Sequence, residues 1–572
     1  MASLFRTKSK QSCRIPHLRN VANSRQLIVN ETPFLMLAGE LQNSSFSCPE
    51  HMQHVWSKLK SAHVNTVLGS VAWEQIEPTE GQFDFHFLDR LLAQVRSHGL
   101  HLVLLWFGSF KNGLSTYAPP WAKQDNARFP RAKIRGPNGV LKTADTFSIF
   151  GPEACKSDRK AFVALMQHIR NVDEAYGTVL MVQVENEVGI LGDSRDYSEL
   201  AEKASHEPVP DDLVQFLRDG WSGTNESFQQ KFAELKHVTT RAGGCLHWTD
   251  LAINTPQGNE LFMAYHYAHF VETVASAGKR VYPLPMYTNV WQNYGGNDAD
   301  PHAPIVAGGG SSPGDYPSGG GVPDVLDVWQ AFAPSLDFIA PDIYLNDYEK
   351  TCAKYRHNNN TLFIPEQRRD EHGALRIWSA FGSYQCIGTA PFGIDTVEPD
   401  LNPFRKHYQL LAKVSMIVID AQARGNASIG FFFDELLPDG SDPSAPVNAE
   451  FGAWNLLIER SFVFGRPSPG SGMIIHVKVD EFLLIGWGFQ VTFQSKAPNA
   501  IFTGLLKFEE RDVVNVATGE METLRWLNGD ETRSGQHAIM PSEDPDYDGF
   551  PISITIPAGT GIAMCQPYVL RE

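Results

Sequence analysis

Between residues 33 and 425, short apolar runs alternate with amphipathic stretches. Runs at 34–41, 66–73, 101–108 and 179–187 read as strands. Helical patterns fall between and after them, at 49–62, 85–98, 158–176, 227–242 and 260–279. In 85–98, for example, Phe87, Leu88, Leu91, Leu92 and Val95 share one helical face. Further strands are expected at 285–291, 337–344, 362–366 and 387–394, and a closing helix at 403–423. Near-continuous apolar strands alternating with helices predict a parallel sheet buried on both sides, here an eight-stranded barrel.

After residue 425 the period changes. Short β-rich runs at 473–479, 482–494, 504–508, 522–527 and 552–556 are separated by turn residues. This pattern predicts an antiparallel sandwich. The expected fold class is therefore α/β, a (β/α)8 TIM barrel followed by an all-β domain. The expected division is a basic N-terminal extension at 1–30, a catalytic barrel at 31–425 and a β-sandwich domain at 426–572.

The chain has 572 residues, of which 42% are hydrophobic and 20% charged, with a net charge of −17. So acidic a balance argues against nucleic acid as a partner, because phosphate repels it. No apolar run approaches the ~20 residues that cross a bilayer, so no membrane partner is expected. The first 30 residues carry Arg6, Lys8, Lys10, Arg14, Arg19 and Arg25 and no acid. A disordered basic extension is expected there, ahead of a mitochondrial transit peptide, and no apolar signal core is seen. The expected location is cytoplasmic. Seven cysteines without a CxxC suggest reduced thiols rather than disulfides or zinc.

No cofactor and no metal are expected. His51 with His54, and His266 with His269, share helical faces but lack a third ligand. The glycine-rich stretch 308–321 lacks the Gly-Lys-Ser/Thr ending of a phosphate loop and is expected as a loop over the barrel mouth. Within it, 310–314 matches Gly-x-Ser-x-Gly but lacks the strand–turn–helix context of a serine nucleophile.

Two strings carry the chemistry. Gln183-Val184-Glu185-Asn186-Glu187 ends the fourth strand, and Phe363-Ile364-Pro365-Glu366-Gln367 ends the seventh. Reactive groups of eight-fold barrels sit at the carboxyl ends of strands. Two carboxylates there are the minimum for cleaving a glycosidic bond. Simple alternation puts Glu185 and Glu187 on one face and Asn186 on the other. The residues alone therefore leave Glu185 and Glu187 open, and a bulge is needed for Asn186 and Glu187 to reach one substrate. Trp73, Trp106, Tyr287, Trp291 and Tyr344 are candidates for a sugar-stacking platform. Asn289 and Glu40 are candidates for polar contacts. Arg368 and Arg369 follow Glu366, and an arginine near it would favour its charged form.

The string 182–187 with Gly189 resembles the acid/base motif of the retaining β-galactosidases of glycoside hydrolase family 35. Ala72-Trp73-Glu74-Gln75-Ile76-Glu77-Pro78 looks like the second barrel unit of the same group, with an echo of family 42, and Ile364-Pro365-Glu366 fits its nucleophile strand. The resemblance spans most of 33–425, and the C-terminal β-domain looks like that of one branch of these enzymes. It implies Glu187 as acid/base, Glu366 as nucleophile, Asn186 on the sugar 2-hydroxyl, and a β-linked glycoside as substrate. Ser70 stands where the family commonly has Tyr, and 108–110 reads Gly-Ser-Phe where it tends to carry Ala-Glu-Trp. Both positions normally touch the sugar, so a β-arabinopyranoside or β-glucoside is the alternative glycone. A carbohydrate-binding barrel without catalysis is the alternative from another class. The oligomeric state is left open.

Overall fold

Eight parallel strands close into a barrel in the computed structural model, which describes residues 15–22, 24–136, 138–239, 245–294, 310–463, 466–527, 529–542 and 556–572. The strands are β1 (Met36–Glu40), β2 (Thr66–Ala72), β3 (His101–Lys111), β4 (Val179–Asn186), β5 (Met286–Trp291), β6 (Phe338–Asp342), β7 (Ile364–Gln367) and β8 (Gly388–Pro391). Their order is β6-β5-β4-β3-β2-β1-β8-β7, and neighbours are parallel throughout. A bridge from Ile343 to Gln367, with Ile343 N–H donating to the Glu366 carbonyl at 2.9 Å, closes β6 on β7. The eight-strand barrel expected from the pattern is the fold observed.

Every residue of β2 and β4 is buried, as a sheet covered on both faces demands. The interior is filled by Met36, Ala38, Leu68, Val103, Leu105, Phe107, Tyr287, Phe338 and Phe363. Leu27 and Val29 of the strand Ser24–Val29 join this cluster. Residues 17–34, which overlap the stretch 1–30 read as an extension, thus form a three-stranded antiparallel sheet that contributes to the barrel core. Residues 1–14 lie outside the described residues.

Several helices differ from the expected pattern. The helix expected at 158–176 is Pro152–Asp173, because Pro152 occupies its first turn, where the missing N–H costs nothing. The one expected at 227–242 is divided into Glu226–Lys231 and Leu235–Thr239. Glu199–His206 and Asp211–Asp219 are helices in a stretch where none is expected. Among the described residues no helix is long and apolar enough to cross a membrane.

Beyond the helix Phe404–Arg424, the chain forms two antiparallel sheets. The six-stranded sheet is built from Ser428–Phe433, Gly470–Lys478, Glu481–Trp487, Ile562–Arg571, Ala500–Asn515 and Glu520–Trp526, in that spatial order. The four-stranded sheet contains Val447–Phe451, Trp454–Arg460, Phe489–Ser495 and His537–Met540. Phe431, Phe433, Trp454, Ile474, Phe482, Leu484 and Phe493 belong to the core they share. Met473, Ile475, Leu483 and Ile485 of the six-stranded sheet belong instead to the barrel's outer core. Gly430 meets the Trp378 carbonyl so closely that a Cβ has no room, and Arg376 adds a two-pronged pair to Asp434. The run expected at 482–494 is two strands, split at Gly488 (φ +76°). Most of the strand expected at 552–556 lies outside the described residues.

Candidate active site

The carboxyl ends of the barrel strands surround a cavity of about 430 Å³. It is lined by Lys111 and Asn112 from β3 and the turn after it, and by Glu187 just past β4. Trp291 of β5, Asp342 of β6, Tyr344 just past β6 and Glu366 of β7 complete its chemistry. A larger cleft of about 520 Å³ beside Arg25 and Asp337 lies at the opposite strand ends and holds none of the site carboxylates.

The end of β4 settles the alternation problem. Glu185 and Glu187 both adopt left-handed backbone, at φ +60° and +46°. Such conformations cost a non-glycine residue of order 1–3 kcal/mol and concentrate at functional sites. Opposite them β3 bulges: Trp106 pairs with Val184, yet Lys111 pairs with Asn186. Residues 107–110 therefore face the single residue Glu185. The consequence is a division of the three side chains. Glu185 leaves the cavity, accepting the Phe110 N–H at 2.7 Å, while Glu187 lines it and Asn186 turns toward Glu366 at its wall.

Glu366 accepts three hydrogen bonds. Asn289 Nδ2 donates to Oε1 at 3.1 Å, Asn186 Nδ2 to Oε1 at 3.4 Å, and the Tyr344 hydroxyl to Oε2 at 2.9 Å. Asn289 also donates to Asp342 Oδ2 at 2.8 Å and accepts the Glu187 N–H at 3.0 Å. One side-chain amide thus ties three acidic residues together. Lys111 Nζ donates to Asn186 Oδ1 at 3.0 Å, which orients the amide that holds Glu366.

One oxygen each from Glu187, Asp342 and Glu366 lies within 4.8 Å of the other two. All three are buried. Among the described residues this is the one carboxylate cluster that could hold a cation, and the Lys111 ammonium already brings positive charge to it. Burial and then the charge of Glu366 push Glu187 up to about 7, against the pull of Lys111. Burial, then Glu366 and Glu187, hold Asp342 well above the usual carboxylate range. Burial works against the Lys111 charge, but Glu366, Glu187, Glu40 and Asp342 outweigh it and raise its value.

The other expected contacts divide. Trp291 and Tyr344 line the cavity, although Tyr344 acts through its hydroxyl on Glu366. Glu40, at the end of β1, is buried with both carboxyl oxygens unpartnered, and burial followed by Glu366 raises it well above its ordinary value. Trp73 is not at the site. The strand ends at Ala72, so Trp73 begins a helix, donates to Glu77 at 2.7 Å and packs edge-on against Trp121. Tyr287 lies in the barrel interior, stacked on Phe338 with ring centroids 5.1 Å apart, because alternation turns it inward one layer below Asn289. Trp106 is also core, bonded to Asp158 at 2.9 Å. Arg368 pairs with Asp370, and Arg369 with the Gly393 carbonyl, so neither supports Glu366. Ser70 bonds the Asn43 carbonyl at 2.7 Å. The described part of the expected mouth loop, 310–321, runs beside the end of β4, with Ser318 bridged to Ile190.

Lys111 and Asp342 are the functional candidates that the sequence reading missed. Lys111 lies beyond the expected end of the third strand, inside a bulge. Asp342 ends its strand two residues before Tyr344, the aromatic residue that marks this strand end in the sequence. The signal for both was position alone, a charged residue at the end of an apolar barrel strand.

Residues 47–222 match a family model described as beta-galactosidase, that of glycoside hydrolase family 42. The match covers β2, β3 and β4 with Asn186 and Glu187 and stops before Glu366. Residues 404–539 match a domain of unknown function, DUF5597. Among solved structures, the chain is similar to the beta-amylase catalytic domain of Paenibacillus polymyxa, at 12% identity and TM-score 0.45, over 65% of this chain and 97% of that one. It is similar to the beta-galactosidase of Marinomonas ef1, at 13% identity and TM-score 0.44, over 68% and 62%. The beta-galactosidase of Bacillus circulans sp. alkalophilus aligns at 14% identity and TM-score 0.44, over 68% and 57%. This chain spans less than two thirds of either beta-galactosidase, and likenesses this distant carry no conclusion about chemistry. A search of curated proteins found no match. The family 35 expectation is not what the comparisons support: residues 47–222 are similar to the family 42 model.

Proposed function

We propose that the protein is a retaining exo-β-glycosidase that hydrolyses terminal β-D-galactosides by double displacement. The observation that carries this reading is the pairing of Glu187 with Glu366. One oxygen of each lies within 4.8 Å of the other, a closeness compatible with the ~5–5.5 Å carboxyl spacing of retention. Their surroundings also differ as two opposite roles require. Glu366 accepts three hydrogen bonds and suits a nucleophilic carboxylate. Glu187, raised to about 7, suits an acid that must hold and then release a proton.

In the first step Glu366 attacks the anomeric carbon while Glu187 gives its proton to the departing oxygen. Glu366 is then esterified and carries no charge, which removes the repulsion that, together with burial, kept Glu187 protonated. Glu187, now ionised, takes a proton from water as the water attacks the anomeric carbon, and Glu366 departs as carboxylate. Asn186, on the cavity side of β4, is the candidate for the sugar 2-hydroxyl. Trp291 offers a stacking face, and Asn289, Tyr344 and Lys111 order the nucleophile. The six free cysteines among the described residues suit a reducing cytoplasm as the place of action.

A different glycone, a β-arabinopyranoside or β-glucoside, is the second reading, motivated by Ser70, which bonds the Asn43 carbonyl where the resembled family commonly carries a sugar-facing tyrosine. A panel of nitrophenyl β-glycosides, with the first-formed anomer followed by NMR, tests both readings. Release of β-galactose from the galactoside supports the proposal. Preference for another glycone supports the alternative, the α-anomer as first product contradicts retention, and silence across the panel contradicts hydrolysis.

A further inference from the structure

Behind the cavity lies a second pair of acids that the proposed mechanism does not use. Glu185 and Asp158 are each fully buried. Asp158, on the helix Pro152–Asp173, accepts Trp106 Nε1–H at 2.9 Å and the Ser109 N–H at 2.7 Å. Glu185 accepts the Phe110 N–H through Oε2, and its Oε1 has no donor. The free oxygen faces Asp158: a Cβ added at Gly108 would lie 2.5 Å from Glu185 Oε1 and 2.6 Å from Asp158 Oδ2, and against Trp106 Nε1. The two carboxyls thus share one small space, which only a glycine leaves open. Among the described residues neither has an ion-pair partner. The other titratable groups facing them are the Cys155 thiol on the same helix and the Tyr267 phenol on the helix Pro256–Val281. Burial first, and nearby acids second, keep both of these neutral.

Two ionised carboxylates cannot occupy such a site without a cation, because burial penalises each charge and each repels the other. We propose that Glu185 and Asp158 share one proton in an acid–carboxylate hydrogen bond, Glu185 Oε1–H donating to Asp158 Oδ2, and that this pair is the positioning device of the active site. A single proton satisfies the orphaned oxygen and removes the repulsion. The pair then grips the β3 bulge at two successive backbone N–H groups, Ser109 and Phe110. The next residue is Lys111, which holds Asn186, which in turn holds Glu366. A path of hydrogen bonds and main chain therefore runs from the outer helix to the proposed nucleophile. The upward displacement of Glu185 by burial and by Asp158 agrees with this assignment.

The test uses the full chain with Glu185→Gln and Glu185→Ala. An amide can donate to Asp158 and accept from Phe110, so glutamine reproduces the bonded pair without a titrating proton. Infrared difference spectra of natural protein minus Glu185→Gln at pH 7 are expected to show a carboxylic-acid carbonyl band that shifts in D2O. Glu185→Gln is expected to keep kcat near the natural value. Glu185→Ala is expected to lose about 100-fold in kcat, the scale of a ~1 Å misplacement, with KM little changed. Absence of the acid band overturns the shared proton. A glutamine variant as impaired as the alanine variant overturns the positioning role. The infrared measurement needs no substrate, so it stands or falls separately from the proposed hydrolysis, on which only the kinetic arm rests.

Discussion

Replacing Glu187 by glutamine removes its acid and keeps its shape, and the consequences can be worked out on both stability and rate. Burial and the charge of Glu366 raise Glu187 from an ordinary value of 4.5 to about 7. The folded protein thus keeps a proton that the unfolded chain releases. For a carboxyl raised on folding, no stability is lost below the unfolded value. The loss grows as pH rises and is complete above the folded value. A difference of about 2.5 units, at 1.36 kcal/mol each, makes the loss about 3 kcal/mol. Glu187→Gln is therefore expected to match the natural protein at pH 4 and to exceed it by about 3 kcal/mol at pH 8, read as the urea midpoint of barrel unfolding. Turnover of an unactivated glycoside is expected to fall about 10²–10⁴-fold, the usual worth of a general acid–base. The companion Glu187→Gly suits the left-handed backbone at this position. It leaves room for azide, which is expected to restore release of an activated aglycone. A stability advantage that does not grow with pH, or near-natural turnover by the glutamine variant, would refute the reasoning.

Lys111→Met leaves Glu40, Glu187, Asp342 and Glu366 without their buried cation, and Lys111 lowers the proton affinity of Glu187. The alkaline limb of kcat/KM, expected near pH 7 in the natural enzyme, moves upward in this variant, and kcat falls; a pH–rate profile reads both. Tyr344→Phe removes one of three donors to Glu366. It is expected to cost about 1.5–3 kcal/mol of barrier, the worth of a hydrogen bond to a charged group, in single-turnover kinetics at unchanged melting temperature. Trp73→Ala is expected to destabilise the fold by about 3–5 kcal/mol, with KM unchanged in the folded fraction, since Trp73 sits in the core away from the cavity.

What was legible in the chain follows from which interactions are local. The barrel strands announced themselves because strands buried on both faces must be apolar along their length, and Glu187 and Glu366 stood out as charges ending such runs. Trp73 was misplaced because strand and helix meet at Ala72–Trp73, and a one-residue shift in the strand end redirects the side chain. Lys111 was hidden by a bulge, which a period of two cannot reveal. The helix Glu199–His206 buries only Ala201 and Ser205, too few to set an apolar period, whereas Asp211–Asp219 does place Leu213, Phe216 and Leu217 at helical spacing, within a stretch read as a connection. The roles of Glu185 and Glu187 could not be separated by alternation, since the two left-handed residues that divide them are fixed by tertiary contacts with Phe110 and Asn289.

The central claim is that Glu366 forms a covalent bond to the sugar while Glu187 manages the proton. Incubation of the full chain with a 2-deoxy-2-fluoro-β-galactoside carrying an activated leaving group, followed by peptide mass spectrometry, tests it directly. The account predicts a stable fluoroglycosyl adduct on the peptide containing Glu366, absent in Glu366→Gln. An adduct on Glu185, Glu187 or Asp342 would contradict it, as would steady hydrolysis of the reagent with no adduct formed.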